Sequence, residues 1–250
     1  MNRRAHLAIV CCVVGAISLG TVSACATSDN MTLEVFAASS LTNAFGDLAT
    51  DWETANPGVE VRVNTAGSSA LREQLRDGAV AQVFASANEA IVDELISDET
   101  IRGTPKLMAT NELVLAVPRG NPGQITSLDD LADDSLLVGV CVPGVPCGDL
   151  AQQLFTAAGV SIAPDTEEPD VRSLTRRLAE GELDAALIYA TDAASDADSI
   201  TVIETNVAAP TTRYPIVTVA ADDEQAQAFV DFVLSDVGQA ILLSWGFQPG

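Results

Sequence analysis

Histidine is all but missing from this chain: of 250 residues the only one is His6. His6 lies in an N-terminal stretch that reads as a removable leader, so the folded part has no imidazole for acid–base chemistry or metal ligation. Cysteine is sparse too. Cys11 and Cys12 fall in the same leader, which leaves Cys25, Cys141 and Cys147. Two internal cysteines without histidine match no common zinc pattern, so a bare metal cation is not expected. Basic residues number 12 against 35 acidic ones. Without Arg3 and Arg4 the balance is 10 against 35, a formal charge of −25. Such a surface makes nucleic acid a poor partner. Aromatics make up 4%, which points to an aliphatic core. Beyond the leader no apolar run is long enough to span a bilayer.

The leader is the first positive feature. Arg3 and Arg4 precede an apolar run at residues 7–19, and Val22-Ser23-Ala24-Cys25 follows. This is the pattern of an exported chain. Small residues before a cysteine resemble a bacterial lipoprotein cleavage site. The expectation is therefore a signal peptide over residues 1–24 and a lipid-modified Cys25 heading a short linker, residues 25–30. An ordinary secretory signal followed by an incidental cysteine is the alternative. Export favours a disulfide between Cys141 and Cys147, with two buried free thiols as the other reading.

The remaining 225 or so residues suffice for one large or two ordinary domains. Residues 33–37 read as a buried strand. Leu41, Ala44, Phe45, Leu48, Ala49 and Trp52 then recur at helical spacing. Strands at 59–63 and 83–85 alternate with helices marked by Leu71 and Leu75 and by Ile91, Val92, Leu95 and Ile96. The alternation implies a parallel sheet with helices on both faces. The pattern restarts near Asn111, with strands at 113–117, 136–140, 185–189 and 200–203 and helices ending at Gly159 and Gly181. A short helix is expected at 127–131. A strand at 214–219 and an unbroken helical periodicity from Phe229 to Leu242 close the chain. Two α/β lobes result, the last segment returning to the first.

One construction recurs four times: a short apolar run, a small or hydroxyl residue, then a helix. It occurs at Ser39-Ser40-Leu41, Gly67-Ser68-Ser69, Pro146-Cys147-Gly148 and Pro169-Asp170-Val171. Each helix start carries unpaired N–H groups and the positive end of a dipole. Several meeting at one point would bind a small anion without a basic residue. The acidic surface opposes long-range attraction of an anion, so contact-range donors would have to overcome it. Taken singly, these serines are equally suited to plain helix capping.

Val35-Phe36-Ala37-Ala38-Ser39-Ser40-Leu41-Thr42-Asn43-Ala44-Phe45 resembles the opening of the molybdate-binding proteins of bacterial ABC importers. Ser68-Ser69-Ala70-Leu71, Val83-Phe84-Ala85-Ser86-Ala87-Asn88 and Val145-Pro146-Cys147-Gly148 continue in that family's order. So do Asp170-Val171-Arg172, Ile188-Tyr189-Ala190-Thr191-Asp192-Ala193, Tyr214-Pro215 and Trp245-Gly246-Phe247. Asn88 stands where the family usually ends its third motif in Asp, and two further departures matter: Cys147, often Ala, and Asp170, whose carboxylate beside an anion site is repulsive.

The resemblance implies an α/β, two-lobed periplasmic-binding-protein-like (type 2) fold, each lobe a mixed sheet flanked by helices, with the ligand in the cleft. Residues 31–110 and 214–250 would form lobe 1 and residues 111–213 lobe 2. The implied ligand is molybdate or tungstate, with no cofactor. The implied donors are Ser40, Ser68, Cys147, Val171 and Tyr189, with Ser39 and Ser69 as substitutes should the register shift by one. Asp170 is expected to cap its helix or pair with Arg172. Arg62, Arg72, Arg119 and Arg213 are expected at the surface. The implied setting is a lipid-anchored monomer outside the cytoplasm that serves a membrane permease, and not an enzyme. A receptor for sulfate or phosphate, a thiol hydrolase using Cys147 and a ligandless structural lipoprotein are the rival readings.

Overall fold

The computed structural model describes residues 31–250. The leader at 1–24, the anchor Cys25 and the linker at 25–30 lie outside the described residues. The chain runs β1 (Met31–Ala38), a 3-10 turn (Ser39–Leu41), α1 (Thr42–Ala55), β2 (Val59–Ala66), α2 (Ser68–Arg76), β3 (Val83–Ala85), α3 (Glu89–Ser97) and β4 (Lys106–Pro118). It continues with a 3-10 turn (Asp129–Ala132), β5 (Val138–Cys141), α4 (Pro146–Ala158), β6 (Thr166–Glu168), α5 (Val171–Ala179), β7 (Ala185–Tyr189), α6 (Ala190–Ser195) and β8 (Ile200–Ile203). The last elements are β9 (Thr211–Thr218), α7 (Glu224–Leu234), α8 (Asp236–Ser244) and β10 (Gln248–Pro249).

The strands follow the order β2-β1-β3-β9-β4-β7-β5-β6, with β8 and β10 also on β4. The sheet is mixed, not parallel as the alternation alone implies. The pairs β1–β2, β1–β3, β5–β6 and β5–β7 are parallel. β9 runs against β3, and β4 against β7, β8 and β9. Strand periodicity reports which face a side chain takes, and both directions give the same alternation.

β4 divides the molecule. Its first part, Lys106 to Glu112, pairs with β9, and its second, Leu113 to Pro118, pairs with β7 and β8. One core follows the second part, built on Leu115, Leu150, Leu174, Leu187 and Ile188. The other half carries a core on each face of its sheet, because β1 alternates: Leu33, Val35 and Ala37 enter one, Phe36 the other. α7 packs on α1 through Phe229, whose ring centroid lies 6.5 Å from Phe45 and 5.7 Å from Trp52. Burying such side chains stabilises by roughly 1.5–3 kcal/mol each.

Local differences have local causes. The segment at Asp129–Ala132 is a 3-10 turn, and Asp130 Oδ2 accepts from the Thr126 and Ser127 amides just ahead of it. The terminal helical run breaks at Ser235, where α8 turns 60° from α7 and the Ser235 side chain caps the Gly238 amide. β6, α6 and β10 are too short for a periodic signal.

Candidate functional site

Five strands end where a helix or 3-10 turn begins, and those ends converge. β1 delivers Ser39 and Ser40, β2 delivers Gly67 and Ser68, and β5 leads to Cys147 in the first turn of α4. β6 leads to Val171, the first residue of α5, and β7 ends on Tyr189. Ser39, Ser40, Ser68, Cys147, Val171 and Tyr189 border one small cavity between the two halves. All six are buried. The amides of Ser68, Cys147 and Val171 stand in first helical turns, where no intrahelical acceptor exists.

The hydroxyls are oriented by neighbours. Ser68 Oγ accepts the Ala87 amide at 3.0 Å, and Thr212 donates its hydroxyl to the Ala87 carbonyl. With its oxygen so engaged, the Ser68 proton is free to point into the cavity. Ser40 Oγ lies 2.9 Å from Tyr214 Oη, so a Tyr214 hydroxyl that donates leaves the Ser40 proton for the cavity as well. Among the described residues Tyr189 Oη is buried without a hydrogen-bond partner, an arrangement that costs free energy unless a ligand repays it. Burial pushes the Tyr189 phenol well above its ordinary range, which keeps it a donor at every physiological pH.

No basic side chain borders the cavity among the described residues. Asp170 is its only ionisable carboxylate, and that carboxylate caps α5: Oδ1 accepts the Ser173 amide at 3.0 Å and Oδ2 the Ser173 hydroxyl at 3.1 Å. Arg172 points away, donating to Asn43 Oδ1 at 3.4 Å. Arg62 and Arg213 hold surface ion pairs with Glu60 and Glu89, and Arg119 is exposed beside Asp198. Arg72 is more enclosed, gripped by Glu73 and Glu94.

Ser69 does not border the cavity. Its hydroxyl donates to the Gly144 carbonyl at 2.9 Å, a bond from α2 to the loop between β5 and α4. The halves also meet at Gly67, where an added Cβ would come within 2.8 Å of the Pro169 carbonyl oxygen. That loop is shaped by Gly144 at φ +83° and by Gly148, whose Cβ would overlap the Val142 carbonyl. The sulfurs of Cys141 and Cys147 sit at bonding distance across it, with Cα atoms 5.7 Å apart.

Sequence reasoning did not find Tyr214 and the Ala87 amide as the groups that orient Ser40 and Ser68. Both contacts span long stretches of chain and leave no local pattern. Among the described residues no group of three or more His, Cys, Asp or Glu forms a metal site.

Replacing Ser68 by Ala removes a hydroxyl donor from the cavity and strands the Ala87 amide. The expected result is weaker anion binding together with a stability loss of about 1–3 kcal/mol, the scale of an unpaired buried amide. Denaturant unfolding without ligand measures the second effect separately. Unchanged stability there would place Ser68 Oγ outside the structural role described.

Residues 33–248 match the family model described as bacterial extracellular solute-binding protein. The molybdate-binding protein ModA of Mycobacterium tuberculosis is 36% identical over 243 residues, covering 94% of this chain and 93% of that one. The periplasmic molybdate-binding protein of Azotobacter vinelandii superposes with a TM-score of 0.73 at 19% identity, over 87% of this chain and 99% of its own. The sulfate-binding protein SubI of M. tuberculosis gives 0.73 at 16%, over 88% and 87%. The two structural likenesses speak for the two-lobed binding-protein fold.

Proposed function

The chain belongs to the bacterial extracellular solute-binding proteins, and we propose that it captures molybdate outside the cytoplasm and hands it to the membrane permease of an ABC importer. The observation that carries the reading is the convergence of neutral donors from five element starts on one buried cavity, with the Tyr189 hydroxyl left unpartnered among them. Molybdate at neutral pH is a tetrahedral dianion. N–H and O–H donors to an ionised acceptor make strong bonds, and helix starts add favourable dipoles. Ser40 and Ser68 serve from lobe 1, residues 31–110 and 214–250. The Cys147 and Val171 amides and the Tyr189 hydroxyl serve from lobe 2, residues 111–213. Ser39 stands beside them, and Ser69 acts as a latch on Gly144 rather than as a ligand.

Selection follows from the same donors. Sulfate is tetrahedral but smaller, so a closed cavity sized for molybdate leaves some of its bonds long. Tungstate has nearly the dimensions of molybdate and is held alongside it. Phosphate carries a proton near neutral pH and needs an acceptor, but both oxygens of Asp170 are already engaged by Ser173. Closure of the lobes around the ion shifts the open–closed equilibrium through differential contacts. The protein works as a monomer, held at the membrane by a lipid on Cys25.

A thiol hydrolase is disfavoured by the sulfur pairing. In the exported protein Cys141 and Cys147 form a disulfide that stiffens the turn while leaving the Cys147 amide free. Thiol titration of the unfolded, unreduced mature protein should find neither of these two thiols free. One free thiol or more from this pair would contradict the pairing.

Isothermal titration with molybdate, tungstate, sulfate and phosphate tests the function. Tight one-to-one binding of the first two alone is the expected result. Binding of sulfate or phosphate in their place would keep the fold and overturn the substrate.

A further inference from the structure

A second buried polar group lies close to the oxyanion cavity and has no part in holding the ion. Asp192 stands in the first turn of α6, three residues past Tyr189. It is 5% exposed, and its Oδ2 is buried without a hydrogen-bond partner among the described residues. Its side chain borders a second cavity of about 610 Å³ that runs beside the first, with Ser39 and Asp170 on the wall of both.

The charged groups around it leave the carboxylate uncompensated. From its own helix Asp196 repels it, and from α5 Asp170 repels it while Arg172 attracts it. Arg176 and Glu180 lie on the same cavity wall. Tyr189 and Tyr214, from β7 and β9, both feel its charge. Arg172 is directed to Asn43 and forms no ion pair among the described residues. An ionised carboxylate buried in this way needs a countercharge or a proton. Burial accordingly pushes the Asp192 carboxyl up to about 7.

We propose that Asp192 is a proton-binding site that fills when the oxyanion is captured, so that the protein takes up a proton from solvent with each dianion. The inference rests on the oxyanion reading of the neighbouring cavity. Two negative charges arriving there raise the cost of the ionised carboxylate, and the proton neutralises it. Linkage makes the effect reciprocal: the ion tightens the proton, and the proton tightens the ion. The direction follows from a folded pKa above the ordinary carboxylate value. Below that folded value Asp192 is already protonated and binding is indifferent to pH. Above about 7 the free protein is ionised, the complex is not, and affinity falls by up to tenfold per pH unit, the limit for one coupled proton.

Titration calorimetry with molybdate at pH 7.5, in buffers of different ionisation enthalpy, reads the proton directly. The expected uptake is roughly 0.5–0.75 proton per ion for wild type, since about three-quarters of the free carboxyls are ionised at that pH. In Asp192→Asn it should be close to zero, with a flat affinity profile from pH 6 to 8.5. Intact binding without proton uptake in wild type overturns the proton site and leaves the function standing. The same uptake in wild type and variant overturns the assignment to Asp192. No binding of any oxyanion overturns both readings. Carbon NMR of the Asp192 carboxyl in wild type, with and without molybdate, needs no variant; a titration midpoint that does not rise with molybdate overturns the proposal.

Discussion

Tyr189→Phe weakens molybdate binding by about 1–3 kcal/mol, the scale of a hydrogen bond lost to a charged group, while the ligand-free protein becomes no less stable. The two effects have opposite expected signs because of what the hydroxyl touches. Tyr189 is 1% exposed, and its Oη has no hydrogen-bond partner among the described residues. An unpaired buried hydroxyl opposes folding, so removing it is neutral or stabilising. The ring itself stays packed edge-on to Tyr214, with centroids 6.1 Å apart. A structural hydroxyl would give the reverse pattern. Calorimetric titration and thermal unfolding of the same preparation separate the cases. A lowered melting temperature with unchanged affinity would remove Tyr189 from the site.

Val171→Pro is the second large effect, and it tests a backbone donor. Val171 is the first residue of α5, a position where proline is well accepted and the N–H has no helical partner. The preceding Asp170 is extended, at φ −155° and ψ 160°, as a residue before proline should be. Its cap on Ser173 does not involve the Val171 amide. The substitution therefore deletes one N–H and reshapes a buried side chain, while the cap and the helix stay. Molybdate affinity should drop by about 1.5–3 kcal/mol, the worth of a bond to an ionised acceptor. Val171→Ala is the counterpart. It keeps the amide but trims a side chain that is 2% exposed, so stability falls, by about 1–2 kcal/mol on the scale of core truncations, and affinity holds. Equal affinities for the two variants would show that the Val171 amide does not reach the ion.

The four helix starts were legible because each combines a small or capping residue with a change from strand to helix periodicity. Asp170 illustrates it: an acidic residue just ahead of Val171, Leu174 and Leu178 reads as a cap, and it caps. The periodicity says little about direction or distance. Nothing local tells that β9 runs against β3, and so the sheet reads as parallel. Apolar spacing continues from Phe229 to Leu242 through the 60° turn at Ser235, and so two helices read as one. Ser69 and Ser68 are indistinguishable by sequence, but one bonds across to Gly144 and the other borders the cavity. The partners that aim the hydroxyls are remote: Tyr214 lies 174 residues from Ser40 and Ala87 19 residues from Ser68. Asp192 looks like an ordinary polar residue at a helix start. Its burial and its unpartnered oxygen come from packing of α6 against β4, β7, β8 and α5, which no short pattern encodes.

The central claim is that an oxyanion is held by neutral donors from five element starts, with no basic side chain. A crystal structure of the molybdate complex, with the metal located by its anomalous scattering, tests it most directly. The account predicts the ion in the cavity bordered by Ser40, Ser68, Cys147, Val171 and Tyr189, its oxygens within hydrogen-bond distance, about 2.7–3.2 Å, of their hydroxyls and amides. Molybdate bound instead against Arg172 and Arg176 in the neighbouring cavity would contradict it.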